Sequence, residues 1–267
     1  MCPLNLRPGR TTLQDMSFFT RSISVLIPLH LVFCPPAESS SARVALPGVV
    51  LWAWERPEHL QFIDPGRVAV AYLAKSIAVT ERGLSVRSRM QPLGVPEGTS
   101  LIAVVRLSTA RRSAPSLLVS QTGGVVAEIL GAARIKGCRG VQIDFDAKKS
   151  ERAFFRVLLA ELRKELPDSL SLSITALASW CLDDNWIADL PVDDAVPMLF
   201  RLGPDRRAIL RRLASGRDFS SPVCRQSMGL SLDEPFPRFG RTRRIYAFNP
   251  HSWTQESYSA LMKDIAR

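Results

Sequence analysis

Apolar residues along this chain fall into short runs separated by polar or Pro-containing segments, at intervals that suit strands alternating with helices. Val49 to Trp54, Val68 to Leu73, Leu101 to Leu107 and Gly140 to Asp146 read as the first four strands. Leu170 to Trp180, Ala195 to Leu202, Met228 to Leu232 and Ile245 to Phe248 read as the next four. Helices are predicted at about Gly124 to Lys136, Ser150 to Leu166, Asp184 to Leu190, Asp205 to Ser215 and Thr254 to Ala266. In the second of them Phe154, Phe155, Leu158, Leu159 and Leu162 recur at helical spacing, and Pro167 closes it. Strands alternating with helices in this number predict an α/β fold, a (β/α)8 TIM-type barrel, better than an open doubly wound sheet. The polar, Pro-containing stretch from Arg82 to Pro96 reads as an elaborated loop. No GxGxxG or GxxxxGKS stretch occurs, so dinucleotide and triphosphate binding lack their motifs.

Length changes this picture little: 267 residues, 46% hydrophobic and 22% charged, suit one barrel domain over residues 43–267. The first 42 residues read as a signal peptide or disordered leader. Arg7, Arg10 and Arg21 precede an apolar stretch from Ile23 to Cys34, and the small residues Ser39 to Ala42 follow it. That stretch contains Pro28 and His30 and is too short to span a membrane, so no transmembrane span is expected in the mature chain. Export to the periplasm or cell envelope is the expected location. Phe33 stands where a lipid-anchor signal places a small residue, which argues against lipidation of Cys34.

Removing the leader leaves Cys138, Cys181 and Cys224, which permit at most one disulfide; buried thiols are the expected state. His30, His59 and His251 form no ligand cluster and no CxxC pair occurs, so neither a metal site nor a cofactor is called for. The formal net charge of +10 invites an anionic partner. However, only six of the 35 basic residues are Lys, and pairs such as Arg111–Arg112, Arg206–Arg207, Arg211–Arg212 and Arg243–Arg244 lack interleaved aromatics. Nucleic acid is therefore not expected as a partner.

The segment from Gly140 to Asp146 carries the candidate chemistry. Alternation along a strand places Gln142, Asp144 and Asp146 on one face and Val141, Ile143 and Phe145 on the other. The apolar set suits the helix layer, which turns the carboxylates toward the barrel interior, where they require an opening to water. Barrels open their active sites at the C-terminal ends of their strands. Side-chain roots two residues apart lie roughly 6–7 Å apart, a spacing suited to the paired carboxyls of glycoside hydrolysis. The deeper Asp144 is expected to stay charged or share a proton, and the outer Asp146 to have a raised pKa and serve as general acid. Trp54, Glu55, Trp180, Arg201, Glu234 and Asn249, at or just beyond other strand ends, are candidate substrate contacts with Gln142. Parity alone does not decide whether Trp52 and Trp54 face the lumen.

The stretches LWAWERPEHL, LIAVVRL, VQIDFDAKKSERAFF, LSITALASWC, VPMLFRLG, GLSLDEP and RRIYAFNPHSW resemble a bacterial family known as domain of unknown function 3142. The resemblance runs from about residue 49 to 253 and implies a barrel and an exported or envelope location, with no known activity. A more distant resemblance is to chitinase-like glycoside hydrolase barrels, whose fourth strand carries alternating acidic residues ending in a Glu that acts as the acid. Gln142, Asp144 and Asp146 take the alternating positions, and Met198 with Phe200 is similar to the sixth-strand segment. Lys148 stands where a further Glu is wanted, so substrate-assisted catalysis on N-acetyl sugars is not implied. The expected function is hydrolysis of a carbohydrate polymer by carboxylate general acid catalysis in a monomeric, exported barrel. The alternative is a non-catalytic glycan-binding or envelope protein on a degenerate hydrolase barrel, and in either case the ligand is a carbohydrate or another small molecule or polymer.

Overall fold

A computed structural model describes residues 45–110, 115–182, 184–236 and 243–266, with the side chains of 115–117 left aside. These residues belong to one compact unit running from Ser41 to Arg267, and the expected leader lies outside them, as do Arg111 and Arg112. Eight parallel strands close on themselves: β1 (Val49–Ala53), β2 (Val68–Thr80), β3 (Leu101–Thr109), β4 (Cys138–Asp144), β5 (Ser171–Leu177), β6 (Asp194–Met198), β7 (Ser227–Ser231) and β8 (Arg244–Phe248). Each pairs with its neighbour in sequence, and β1 pairs with both β2 and β8, which completes the barrel. The helices are α1 (Pro115–Ser120), α2 (Thr122–Ala132), α3 (Arg152–Glu165), α4 (Ala178–Leu182), α5 (Arg206–Ala214) and α6 (Gln255–Ile265). None of the described helices is long and apolar enough to cross a membrane.

Alternation along the strands builds two cores. Outward residues such as Val141 and Ile143 of β4 join the barrel to α3, whose Phe154, Phe155, Leu158, Leu159 and Leu162 are all buried. Burying each of those side chains contributes about 1.5–3 kcal/mol. Inward residues Val50, Trp52, Ala69, Ala71, Leu73, Ile102, Val104, Val196 and Tyr246 form a second core in the lumen, with Trp54, Met198 and Phe248 packed against it. Both Trp52 and Trp54 therefore face inward. Close packing restricts β4 where it passes β5: a Cβ on Gly140 comes within 3.0 Å of the Ser171 carbonyl oxygen. Gly140→Ala is expected to cost about 1–3 kcal/mol through this backbone contact, and a denaturation midpoint equal to that of the unmodified chain would contradict the close approach.

Three expectations need correction. The stretch after β2 is not a loop throughout. β2 continues to Thr80, and residues Gly83–Ser88 return beside it as an antiparallel arm, the turn using the positive φ of Gly83. Alternation in that part of β2 buries Ile77 and Val79, while the arm buries none of its own residues, and exposed Ser85, Arg87 and Ser88 hide its strand character. Second, β4 ends at Asp144 and β5 at Leu177, where α4 begins. Third, Cys181 and Cys224 form a disulfide with Cα atoms 5.8 Å apart, instead of remaining thiols. They meet because α4 and the turn before β7 lie together, joined by the Ser221 amide donating to the Cys181 carbonyl at 3.2 Å.

The floor of the lumen is polar. Asp194, 5% exposed at the start of β6, accepts a hydrogen bond from Ser227 and lies 3.7 Å from Arg244. Burial raises its pKa to about 6, against the opposing influence of Ser227 and Arg244, with Asp193 adding to the rise. A carboxyl pKa raised on folding contributes stability that is full below the unfolded value and is lost as pH rises through the folded one. The unmodified chain is thus expected to lose about 2 kcal/mol between pH 4 and 7 at this residue. Asp194→Asn removes that loss, and denaturant unfolding at the two pH values checks it; equal pH slopes in both proteins would contradict it.

Candidate active site

The last residue of β4 is the centre of the site. Asp144 points into the lumen at its C-terminal mouth, in register with Arg106 of β3. One carboxylate oxygen accepts a hydrogen bond from Thr175 Oγ1 at 2.9 Å, and the other lies 3.9 Å from Arg106 Nε. Its side chain is 20% exposed, enough to be reached from the mouth. Burial is the main cause of a raised pKa, Thr175 opposes it, the charge of Asp146 adds to it and Arg106 opposes it. Directly below, Gln142 is fully buried and neither its amide nitrogen nor its oxygen has a hydrogen-bond partner.

Asp146 lies two residues beyond the end of β4 and is exposed, while Phe145 turns into the helix layer, edge-on to Phe155 at 5.2 Å. Burial thus acts on Asp144, the reverse of the division expected from sequence, because the strand stops one alternation earlier. Lys148 is paired with Glu151 at 3.1 Å.

Aromatic rings form one wall of the mouth. Trp54 meets Trp52 edge-on at 5.9 Å and Phe248 at 6.3 Å, and Phe248 stacks on Phe200 with ring centres 5.8 Å apart. The Arg106 guanidinium sits over the Trp54 ring at 5.4 Å. Beside this wall opens a cleft of about 240 Å³, lined by Trp54, Glu55, Arg56, Arg201, Phe248 and Pro250.

Two half-buried arginines, Arg56 and Arg89, hold the loops in place. Arg56 donates to the carbonyls of Pro250 at 2.7 Å and Asn249 at 2.8 Å, and pairs with buried Glu58 at 3.2 Å. Arg89 donates to the carbonyls of Trp54 and Arg56. Arg201 has φ +52°, a left-handed conformation uncommon outside Gly, and its amide donates to Glu234 at 2.8 Å.

Of the contacts expected from sequence, Trp54, Glu55 and Arg201 line the cleft. Glu234 braces Arg201 and Arg206. The Asn249 oxygen accepts from the His251 amide at 3.0 Å, so this nearly buried side chain shapes its own loop. Trp180 does not belong to the mouth. It is 4% exposed in the outer core, edge-on to Trp186 at 5.0 Å, because α4 begins at Ala178 and takes Trp180 off the strand alternation. Sequence reasoning missed Arg106 and Thr175, though parity within their strands placed both on the lumen face. The two anchoring residues Arg56 and Arg89 left no comparable signal. Among the described residues, no group of three or more His, Cys, Asp or Glu is placed to hold a metal ion.

The segment that supplies Arg106, Asp144, Asp146 and Thr175 is also the one that matches a known family. Residues 97–197 match DUF3142, a domain of unknown function. The DUF3142 match takes in β3, β4, β5 and all of β6 except Met198. No curated protein matches the chain. Among solved structures, the chain is similar to the Bacillus cereus spore cortex-lytic enzyme SleL, at 17% identity and a TM-score of 0.48, over 82% of this chain and 59% of that one. It is also similar to the chitinase domain of the spore coat protein CotE from Clostridium difficile, at 16% identity and a TM-score of 0.41, over 86% of this chain and 74% of that one.

Proposed function

We propose that the mouth of the barrel binds a polysaccharide and hydrolyses a glycosidic bond. The observation that carries the reading is Asp144: an inward, partly exposed carboxyl at the end of β4 whose proton is favoured by burial, and which Arg106 links to Trp54, a residue lining the cleft. Asp144 donates its proton to the leaving glycosidic oxygen as the bond to the anomeric carbon breaks. Asp146, exposed at the rim, takes the proton of the attacking water, whose oxygen bonds to that carbon. Arg106 offsets negative charge on Asp144 after transfer, and Thr175 fixes the carboxyl's orientation. Trp54 and Phe248 offer apolar faces to sugar rings, and Glu55 and Arg201 offer hydrogen bonds to hydroxyls. Gln142 supports the site from below. Export is part of the reading: the Cys181–Cys224 bridge suits an oxidising compartment, and the first 42 residues have the composition of a leader.

One observation favours a second reading, glycan binding without turnover: the Asp144 carboxyl is already engaged by Thr175 and faces Arg106. Both readings require glycan at the mouth. Retardation of the chain in gels containing soluble polysaccharides tests this. At least one polymer is expected to slow it, and Trp54→Ala to abolish the effect; retardation unchanged in that variant, or absent with every polymer, would overturn the site. Binding with no release of product by any variant would select the second reading.

A further inference from the structure

One side of the mouth rises above the barrel. Leu73 of β2 lies level with Val104, and from there β2 runs on to Thr80, about 20 Å of strand. The Gly83–Ser88 arm flanks it on one side and the end of β3 on the other, making a three-stranded sheet. Its outer face is covered: Ile77, Val79 and Leu107 are buried, and α2 packs behind, where Leu84 lies against Gly124.

The opposite face is small-featured, with Ser76 and Ala78 half-buried and Ser85 and Ser108 exposed among the described residues. Register places Ser76 between Arg87 and Arg106, and Ala78 between Ser85 and Ser108, so these six residues share the side that faces the mouth. Two ties make this face continuous with the cleft. Arg106 stacks over Trp54, and Arg87 donates to Glu55 at 2.8 Å. The two arginine side chains remain 56% and 65% exposed, so each keeps donors free for a further partner.

We propose that this raised sheet face binds the continuing chain of an acidic polysaccharide, one bearing carboxylates on its sugars, while the bond to be cleaved sits at Asp144. The inference rests on the reading of the mouth as a glycan site and adds where the rest of the polymer lies and what charge it carries. Serine and alanine side chains leave the face flat enough for an extended chain; both terminal nitrogens of Arg87 already pair with Glu55, so the arginines meet a ligand carboxylate through their remaining N–H groups and their charge.

The test is calorimetric titration of the full chain with dimers and hexamers of galacturonate and mannuronate, and with the methyl-esterified hexamers as neutral counterparts. At least one acidic hexamer is expected to bind about tenfold more tightly than its dimer, the value of one charge-assisted hydrogen bond. Ser85→Glu and Ser108→Glu are each expected to remove that advantage with dimer binding unchanged, and esterification to remove it as well. Arg139→Gln, which changes the net charge equally at the start of β4 on the far end of the barrel, is expected to change nothing. Hexamers no tighter than dimers, an advantage that survives both platform variants or falls equally with Arg139→Gln, or equal binding of the ester would overturn the proposal. If neutral glycans still bind in a Trp54-dependent way, the mouth reading stands and only the platform falls. If no glycan of either kind is held, both fall.

Discussion

Asp144→Asn is expected to lower kcat on any glycan substrate by about 10²–10⁴-fold, the range for loss of a positioned proton donor. The amide keeps the shape and can still accept from Thr175, so the unfolding midpoint stays near that of the unmodified chain. Asp146→Asn is expected to lower kcat as well, with a second signature. Asp146's charge helps to hold the proton on Asp144, so its removal lowers the Asp144 pKa and moves the alkaline limb of the residual activity to lower pH. A raised pKa on the acid means that activity falls as pH rises through it, so the limb to follow is the alkaline one. Steady-state kinetics across pH on both variants checks this. Full activity in Asp144→Asn would remove it as the acid, and an unmoved limb in Asp146→Asn would separate the two carboxyls.

Loss of the disulfide is the second large effect. Cys181 and Cys224 are 43 residues apart in sequence, and both are fully buried. Opening a loop of that length in the unfolded chain costs about 4 kcal/mol of stability on the chain-entropy account. Cys181→Ala with Cys224→Ala is expected to lower Tm by roughly 8–16 °C for a domain of this size. Unfolding of the unmodified chain under reductant is expected to approach the same value. A change below about 1 kcal/mol would mean that the two thiols are not bridged in solution.

Periodicity made much of the barrel legible, because strands buried on both faces read as short apolar runs and α3 carries its apolar stripe openly. It also placed Gln142 and Asp144 inward, since a two-residue repeat has no freedom once Val141 and Ile143 belong to the helix layer. Strand ends were less legible. One alternation too many put Asp146 in the lumen, and running β5 on through Ala178 put Trp180 at the mouth, when the turn into α4 buries it behind. Asp194 was missed as a lumen group because the sixth strand was begun at Ala195, one residue late. The disulfide and the Arg56 and Arg89 anchors join residues that only the closed fold brings together. Arg106 could have been found: it is the one charge in LIAVVRL, two residues beyond Val104 on the same face.

The most direct measurement of the central claim is release of reducing ends from a panel of neutral and acidic polysaccharides by the unmodified chain and by Asp144→Asn, side by side. Release from at least one polymer is expected from the first and none above background from the second. Equal release by both would contradict the assignment of Asp144, and silence from both across the panel would contradict hydrolysis itself.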